Sequence, residues 1–153
     1  MKKIIYKLTY LTALFAFIYS CDDVDRVYYN DAAETVLSLS DDNLVLNEEN
    51  AANEVLTLTW TEPDFGFSAA ALYSVQIDVQ GGDFSNPQII SVGGAFDKTF
   101  TVEELNAKLL SLSMLPNEEG VASFRIKATL SEYQEIYSNT VNITVTPYSS
   151  LLD

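Results

Sequence analysis

Four stretches of the chain alternate apolar and polar residues with period two, the pattern of strands that turn one face to a core and the other to water. In 54–61, Leu56, Leu58 and Trp60 face one way and Thr57, Thr59 and Thr61 the other. In 72–79, Tyr73, Val75, Ile77 and Val79 oppose Ser74, Gln76 and Asp78. In 121–131, Phe124, Ile126, Ala128 and Leu130 oppose Arg125, Lys127 and Thr129, and in 139–146, Val141, Ile143 and Val145 oppose Asn142, Thr144 and Thr146. Weaker strand patterns lie at 35–39 or 43–46, at 87–92 and at 96–100. The run Gly81-Gly82-Asp83-Phe84-Ser85-Asn86-Pro87 is dense in turn formers and predicts a link between two strands, with Pro87 at the next strand's start or at an edge.

One segment changes period. Val102, Leu105, Leu109 and Leu112 recur at helical spacing, Thr101 and Glu104 match a capping box, and Phe100 and Leu105 occupy hydrophobic-staple positions. A helix is therefore expected across one end of the strands, its leucines facing the core. Stacking the alternating strands through their apolar faces gives an all-β sandwich of about seven strands with one short crossing helix.

The N-terminus follows another logic. Met1, Lys2, Lys3 and Lys7 precede the apolar run Leu8 to Tyr19, the order of a secretory signal, and the run is short of the roughly 20 apolar residues a membrane-spanning helix needs. It ends Ile18-Tyr19-Ser20-Cys21, similar to a lipobox, with Tyr19 bulkier than usual. Residues 1–20 are thus expected to be a lipoprotein signal peptide, and Cys21 the lipid attachment site. Each buried methylene contributes about 0.8 kcal/mol, so several acyl chains anchor stably where one would not. Asp22, Asp23 and Asp25 then resemble the acidic export signal that sends Bacteroidetes lipoproteins to the cell surface, and 21–34 reads as an acidic tether. The expected domain occupies 35–148, with a tail at 149–153, and the expected location is the outer face of the outer membrane.

Composition excludes much chemistry. There is no histidine and a single cysteine, which removes imidazole acid-base catalysis, Cys/His nucleophiles, common zinc sites and an internal disulfide. Lys+Arg total 8 against 22 Asp+Glu, and three of the lysines lie in the leader, so nucleic acid, anionic lipid and acidic polysaccharide are not expected as partners, while neutral ligands or basic partner surfaces remain open. Carboxylate pairs such as Asp41-Asp42, Glu48-Glu49, Glu103-Glu104 and Glu118-Glu119 read as solvated faces, loops or helix N-terminal charge. Asp22-Asp23-Val24-Asp25 lacks the ligand spacing and glycine of an EF-hand loop, and Asn142-Ile143-Thr144 fits a glycosylation sequon but sits in a strand pattern. No catalytic residue, metal or cofactor is assigned.

Leu56 to Pro63 followed by Leu72 to Ile77 resembles the second and third strands of fibronectin type III and immunoglobulin-like domains, in which the tryptophan packs in the core. Further motifs are similar to the N-terminal domain of SusE-type outer-membrane lipoproteins. They are Trp60-Thr61-Glu62-Pro63-Asp64-Phe65-Gly66-Phe67, Tyr73 to Asp78, Phe84-Ser85-Asn86-Pro87, Thr101 to Asn106, and Ser138-Asn139 to Thr146-Pro147-Tyr148. The resemblance covers residues 21–148. It implies an immunoglobulin-like fold and a non-enzymatic role in polysaccharide utilisation, with a TonB-dependent transporter complex and other surface glycan-binding lipoproteins as partners. In that family the glycan contacts lie chiefly in domains C-terminal to this one, about where this sequence ends.

Three readings follow: a spacer or docking module, a module that binds a neutral glycan directly, and a glycosidase, the least supported. A sugar offers an apolar C–H face and several hydroxyls, so direct binding calls for an exposed aromatic platform beside polar groups. Trp60 falls on the inward face of its strand, which leaves Phe65 and Phe67 in one loop and Tyr133 and Tyr137 in another as candidate glycan-binding residues.

Overall fold

The computed structural model describes residues 35–64, 70–131 and 134–149. Cys21, the leader, the tether, Phe65, Phe67, Tyr133 and the last four residues lie outside them.

Two sheets form. The smaller has the order β1 (Leu37–Leu39), β3 (Glu54–Trp60), β6 (Asp97–Thr101). The larger has the order β2 (Asn43–Val45), β9 (Val141–Thr146), β7 (Gly120–Ser131), β4 (Leu72–Val79), β5 (Gln88–Gly93), and β8 (Gln134–Tyr137) also pairs with β7. Helix α1 (Val102–Ser111) joins β6 of one sheet to β7 of the other. Among the described residues nine strand segments fill about seven strand positions. β1 and β2 are two parts of a first strand divided between the sheets, β2 running parallel to β9, and β8 and β9 lie in turn along the same edge of β7. This is the expected all-β sandwich.

Register places apolar residues opposite one another. Val75 lies across from Ile126 and Ile77 from Phe124 in the larger sheet, Ala122 from Ile143, and Leu37 from Trp60 and Leu56 from Phe100 in the smaller. All of them are buried in one core. A one-residue slip would turn these side chains to water, so the alternation that predicts the strands also fixes their pairing.

Both weak N-terminal patterns form strands, at Leu37–Leu39 and Asn43–Val45. β8 was not expected: Gln134-Glu135-Ile136-Tyr137 is too short to show a period, and its pairing with β7 makes it a strand. The capping box is half formed. Thr101 Oγ1 accepts from the Glu104 N–H at 3.2 Å, but the Glu104 carboxylate turns to Lys98 Nζ at 2.8 Å instead of reaching back to the cap. Phe100 and Leu105, the staple pair, are both fully buried.

Two asparagines tie down the ends of the sandwich. Where the chain enters, the Leu37 N–H donates to Asn139 Oδ1 at 2.8 Å and Asn139 Nδ2 donates to the Leu37 carbonyl at 3.2 Å. Where it leaves, the Tyr148 N–H donates to Asn106 Oδ1 at 2.9 Å and Asn106 Nδ2 donates to the Tyr148 carbonyl at 3.1 Å, all of it buried. Each amide completes a strand-like pair of hydrogen bonds where no neighbouring strand supplies one. Asn139 and Tyr148 flank β9, so at about 3.3 Å per residue the two clamps stand roughly 25–30 Å apart.

Candidate functional site

The outer face of the larger sheet departs from the simple in-out alternation. Gln76 and Asp78, expected in water, are 5% and 8% exposed. Arg125, opposite Gln76 in register, donates from Nε to Gln76 Oε1 at 2.7 Å and covers it. Asp78 is wrapped by the β4–β5 loop. Its carboxylate accepts from the N–H groups of Val79 at 2.8 Å and Phe84 at 2.9 Å. Gly82 belongs to that wrap, since a Cβ there would collide with the Asp78 carboxylate.

The loop delivers an aromatic ring. Phe84 holds φ at 56°, a left-handed conformation that costs a bulky residue about 1 kcal/mol or more. Its reward is position: the Arg125 guanidinium lies 4.1 Å from the Phe84 ring centroid and 4.2 Å from that of Tyr137 on β8, held between the two rings. Tyr137 Oη donates to Glu135 Oε2 at 2.9 Å, and Glu135 also pairs with Lys127. Those contacts hold the Glu135 carboxyl below its usual range, the Lys127 hydrogen bond first and the Tyr137 hydrogen bond second. The Tyr137 hydroxyl is pushed up, by burial first and then by its bond to Glu135. Around this stack the face carries Ser91, Ser74, Lys127 and Tyr137 in register across four strands.

Of the four candidate aromatics only Tyr137 lies among the described residues. It stands on a strand, not in a loop as expected, and is 39% exposed. Its partners Phe84, Arg125 and Gln76 were not singled out in the sequence. The available signal was modest: an arginine on the outward face of a strand pattern, and a phenylalanine inside a turn-rich run.

Trp60 is core, as expected, at 5% exposure. It packs on Tyr73 at 6.0 Å between centroids, and Tyr73 packs on Phe96 at 5.4 Å. The carboxylate pairs serve local structure. Asp41 Oδ1 accepts from the N–H groups of Asp42 and Asn43, and Glu103 and Glu104 sit in the first turn of α1. A polar cleft of about 300 Å³ beside the β4–β5 loop is lined by Asp78, Asp83, Ser85, Asn86 and Gln88 on one side and the C-terminus of α1 on the other. Among the described residues no group of three His, Cys, Asp or Glu could hold a metal ion, and no helix is long and apolar enough to cross a membrane.

A family model described as SusE outer membrane protein matches residues 22–127. No curated protein matches. Among solved structures, pectate lyase PelI from Erwinia chrysanthemi in complex with tetragalacturonic acid is similar over 72% of this chain and 28% of its own, at 13% identity and a TM-score of 0.45. A computationally redesigned β-sandwich protein is similar over 76% and 92%, at 14% identity and a TM-score of 0.41. The periplasmic chaperone SfaE is similar over 76% and 59%, at 14% identity and a TM-score of 0.34. Likenesses this loose bear on neither fold nor function.

Proposed function

This chain belongs to the SusE outer membrane protein family, and from that premise we propose that it is a non-enzymatic surface lipoprotein whose sandwich acts as a spacer or docking module. Membership places it at the outer membrane, within a starch utilisation system. In this reading Cys21 carries the lipid, residues 22–34 set the reach, and the sandwich stands between the membrane and a TonB-dependent transporter complex or other glycan-binding lipoproteins.

The observation that carries the spacer reading is the pair of asparagine clamps. The chain enters at one end of the sandwich and leaves at the other, and both crossing points are hydrogen-bonded to a different part of the fold. A domain so built holds whatever precedes and whatever follows it at a fixed separation, and resists being peeled from either end.

A neutral malto-oligosaccharide titrated into the full chain tests it. No binding at millimolar sugar is expected, together with fatty-acid labelling that disappears in Cys21→Ser. A mature protein with its leader intact and no acyl group removes the anchor. Binding that Tyr137→Ala abolishes would replace the spacer with a second reading, direct neutral-glycan binding, which rests on the exposed Tyr137 ring.

A further inference from the structure

The Phe84–Arg125–Tyr137 stack does something a spacer does not need. A surface arginine ordinarily samples many rotamers and loses that freedom on binding. Arg125 has lost it already. Rings lie against its guanidinium at 4.1 and 4.2 Å, and Nε is fixed on the buried Gln76 amide at 2.7 Å. Two further devices hold the rings: the Asp78 carboxylate bonds the backbone of Phe84 in its left-handed turn, and Glu135 bonds the Tyr137 hydroxyl. Among the described residues, no acceptor is hydrogen-bonded to the terminal nitrogens of Arg125. The fork of N–H groups that matches a carboxylate in two parallel hydrogen bonds is therefore in place with no acceptor among the described residues.

Charge agrees with that chemistry at short range. Lys127 and Glu135 pair with each other, and the Asp78 carboxylate on the same face is taken up by the N–H groups of Val79 and Phe84, so Arg125 has no carboxylate partner among the described residues. The net charge of -14 repels anions at a distance, but at physiological salt the field is screened beyond about 8 Å. The surroundings favour a sugar over a peptide. Ser74, Ser91 and Thr129 bring hydroxyls to the same face, and the part of Tyr137 away from Arg125 offers an exposed ring to a sugar's C–H groups.

The geometry points to Arg125 as the receptor for a carboxylate carried by a uronic acid residue of an acidic glycan, with Tyr137 and Phe84 as the walls of the site. The ligand's carboxylate takes the edge of the guanidinium, and its ring lies over the rims of the two aromatics and reaches the hydroxyl row. Because the arginine is ordered before binding, little rotamer freedom is lost, which suits a shallow site on a flat sheet.

The test is calorimetric titration of the full chain at physiological salt with a glucuronic acid trisaccharide, and with the same trisaccharide reduced to the neutral sugar at each carboxyl. The acid is expected to bind at least tenfold more tightly than its reduced form. Arg125→Lys keeps the charge but not the planar fork, and is expected to weaken the acid about tenfold, several times more than it weakens the reduced sugar. The NMR signal of the Arg125 Nε–H in the unaltered protein reads the same contact without relying on a variant's folding. It should shift with the acid and not with the reduced sugar. Equal binding of both sugars, no binding of the acid, an unmoved Arg125 signal, or a tetraglutamate peptide binding as well as the acidic sugar would each overturn the proposal. Failure of the acid alone leaves the spacer reading intact, whereas equal binding of both sugars ends both.

Discussion

Two aromatic clusters occupy opposite faces of the larger sheet, and they treat polar atoms in opposite ways. Inside, the buried Trp60 and Tyr73 pack at a tilt on each other and Tyr73 packs at a tilt on the exposed Phe96, yet Trp60 Nε1 and Tyr73 Oη are buried with no hydrogen-bond partner among the described residues. Outside, Phe84, Arg125 and Tyr137 stack around a charge, and Gln76, Asp78 and Glu135 each hold part of the stack with a hydrogen bond. The inner cluster is bound by area and tolerates unmet polar groups. The outer one buries less and depends on directed contacts. Stability should therefore reside in the first and recognition in the second, and each prediction below separates the two.

Trp60→Ala should have the largest effect, about 3–5 kcal/mol lost in urea unfolding, because it removes the biggest inward side chain where β1 and β3 meet. If that loss were no larger than the one from Arg125→Ala, the division between a stabilising interior and a recognising exterior would collapse. Asn106→Ala comes next, at about 2–3 kcal/mol, since it strands a buried peptide N–H and carbonyl at Tyr148 together. The matching change Asn139→Ala lies at a partly buried clamp on an exposed side chain, where water can partly replace the amide, and should cost about 1 kcal/mol. Arg125→Ala should cost about 1–2 kcal/mol, from two cation–π contacts and one hydrogen bond at a half-buried site, while eliminating binding of the acidic trisaccharide.

The two clusters also differ in how far the sequence reveals them. Trp60 and Tyr73 sit in clean period-two runs, so their burial follows from alternation alone, and the same is true of core strand residues such as Leu56, Ile77, Ile126 and Val145. The outer stack draws on residues 76, 84, 125 and 137, from three strands and a loop. No local period links them. Gln76 and Asp78 read as solvent-facing because alternation reports the side of the sheet and not what later covers it. Tyr137 was visible as an aromatic outside the strong patterns, but its strand exists only through pairing with β7, a contact between distant positions. Glu104 shows the same limit on a smaller scale: local sequence spells a capping box, and Lys98 on the preceding strand takes the carboxylate.

The smallest effect tests the inner cluster's unmet hydroxyl. Tyr73→Phe removes an oxygen that is buried without a partner among the described residues, so at neutral pH it should leave stability unchanged or raise it by up to about 1 kcal/mol. The distinguishing signature lies at alkaline pH. Burial, and to a lesser degree the nearby Glu62 charge, lifts the Tyr73 hydroxyl above its ordinary value of 10.0. The folded protein thus keeps this proton after the unfolded chain has begun to release it. Stability is unaffected below pH 10 and falls as pH rises past it, because the unfolded state binds fewer protons there. Urea midpoints measured from pH 8 to pH 11 should decline less steeply in Tyr73→Phe than in the unaltered protein, with the remaining slope coming from Tyr137 and Tyr148, whose hydroxyls are also raised. A parallel decline in both proteins would mean that the Tyr73 hydroxyl is as well solvated in the folded protein as in the unfolded chain, and that the interior is not the dry, area-bound cluster contrasted with the outer stack.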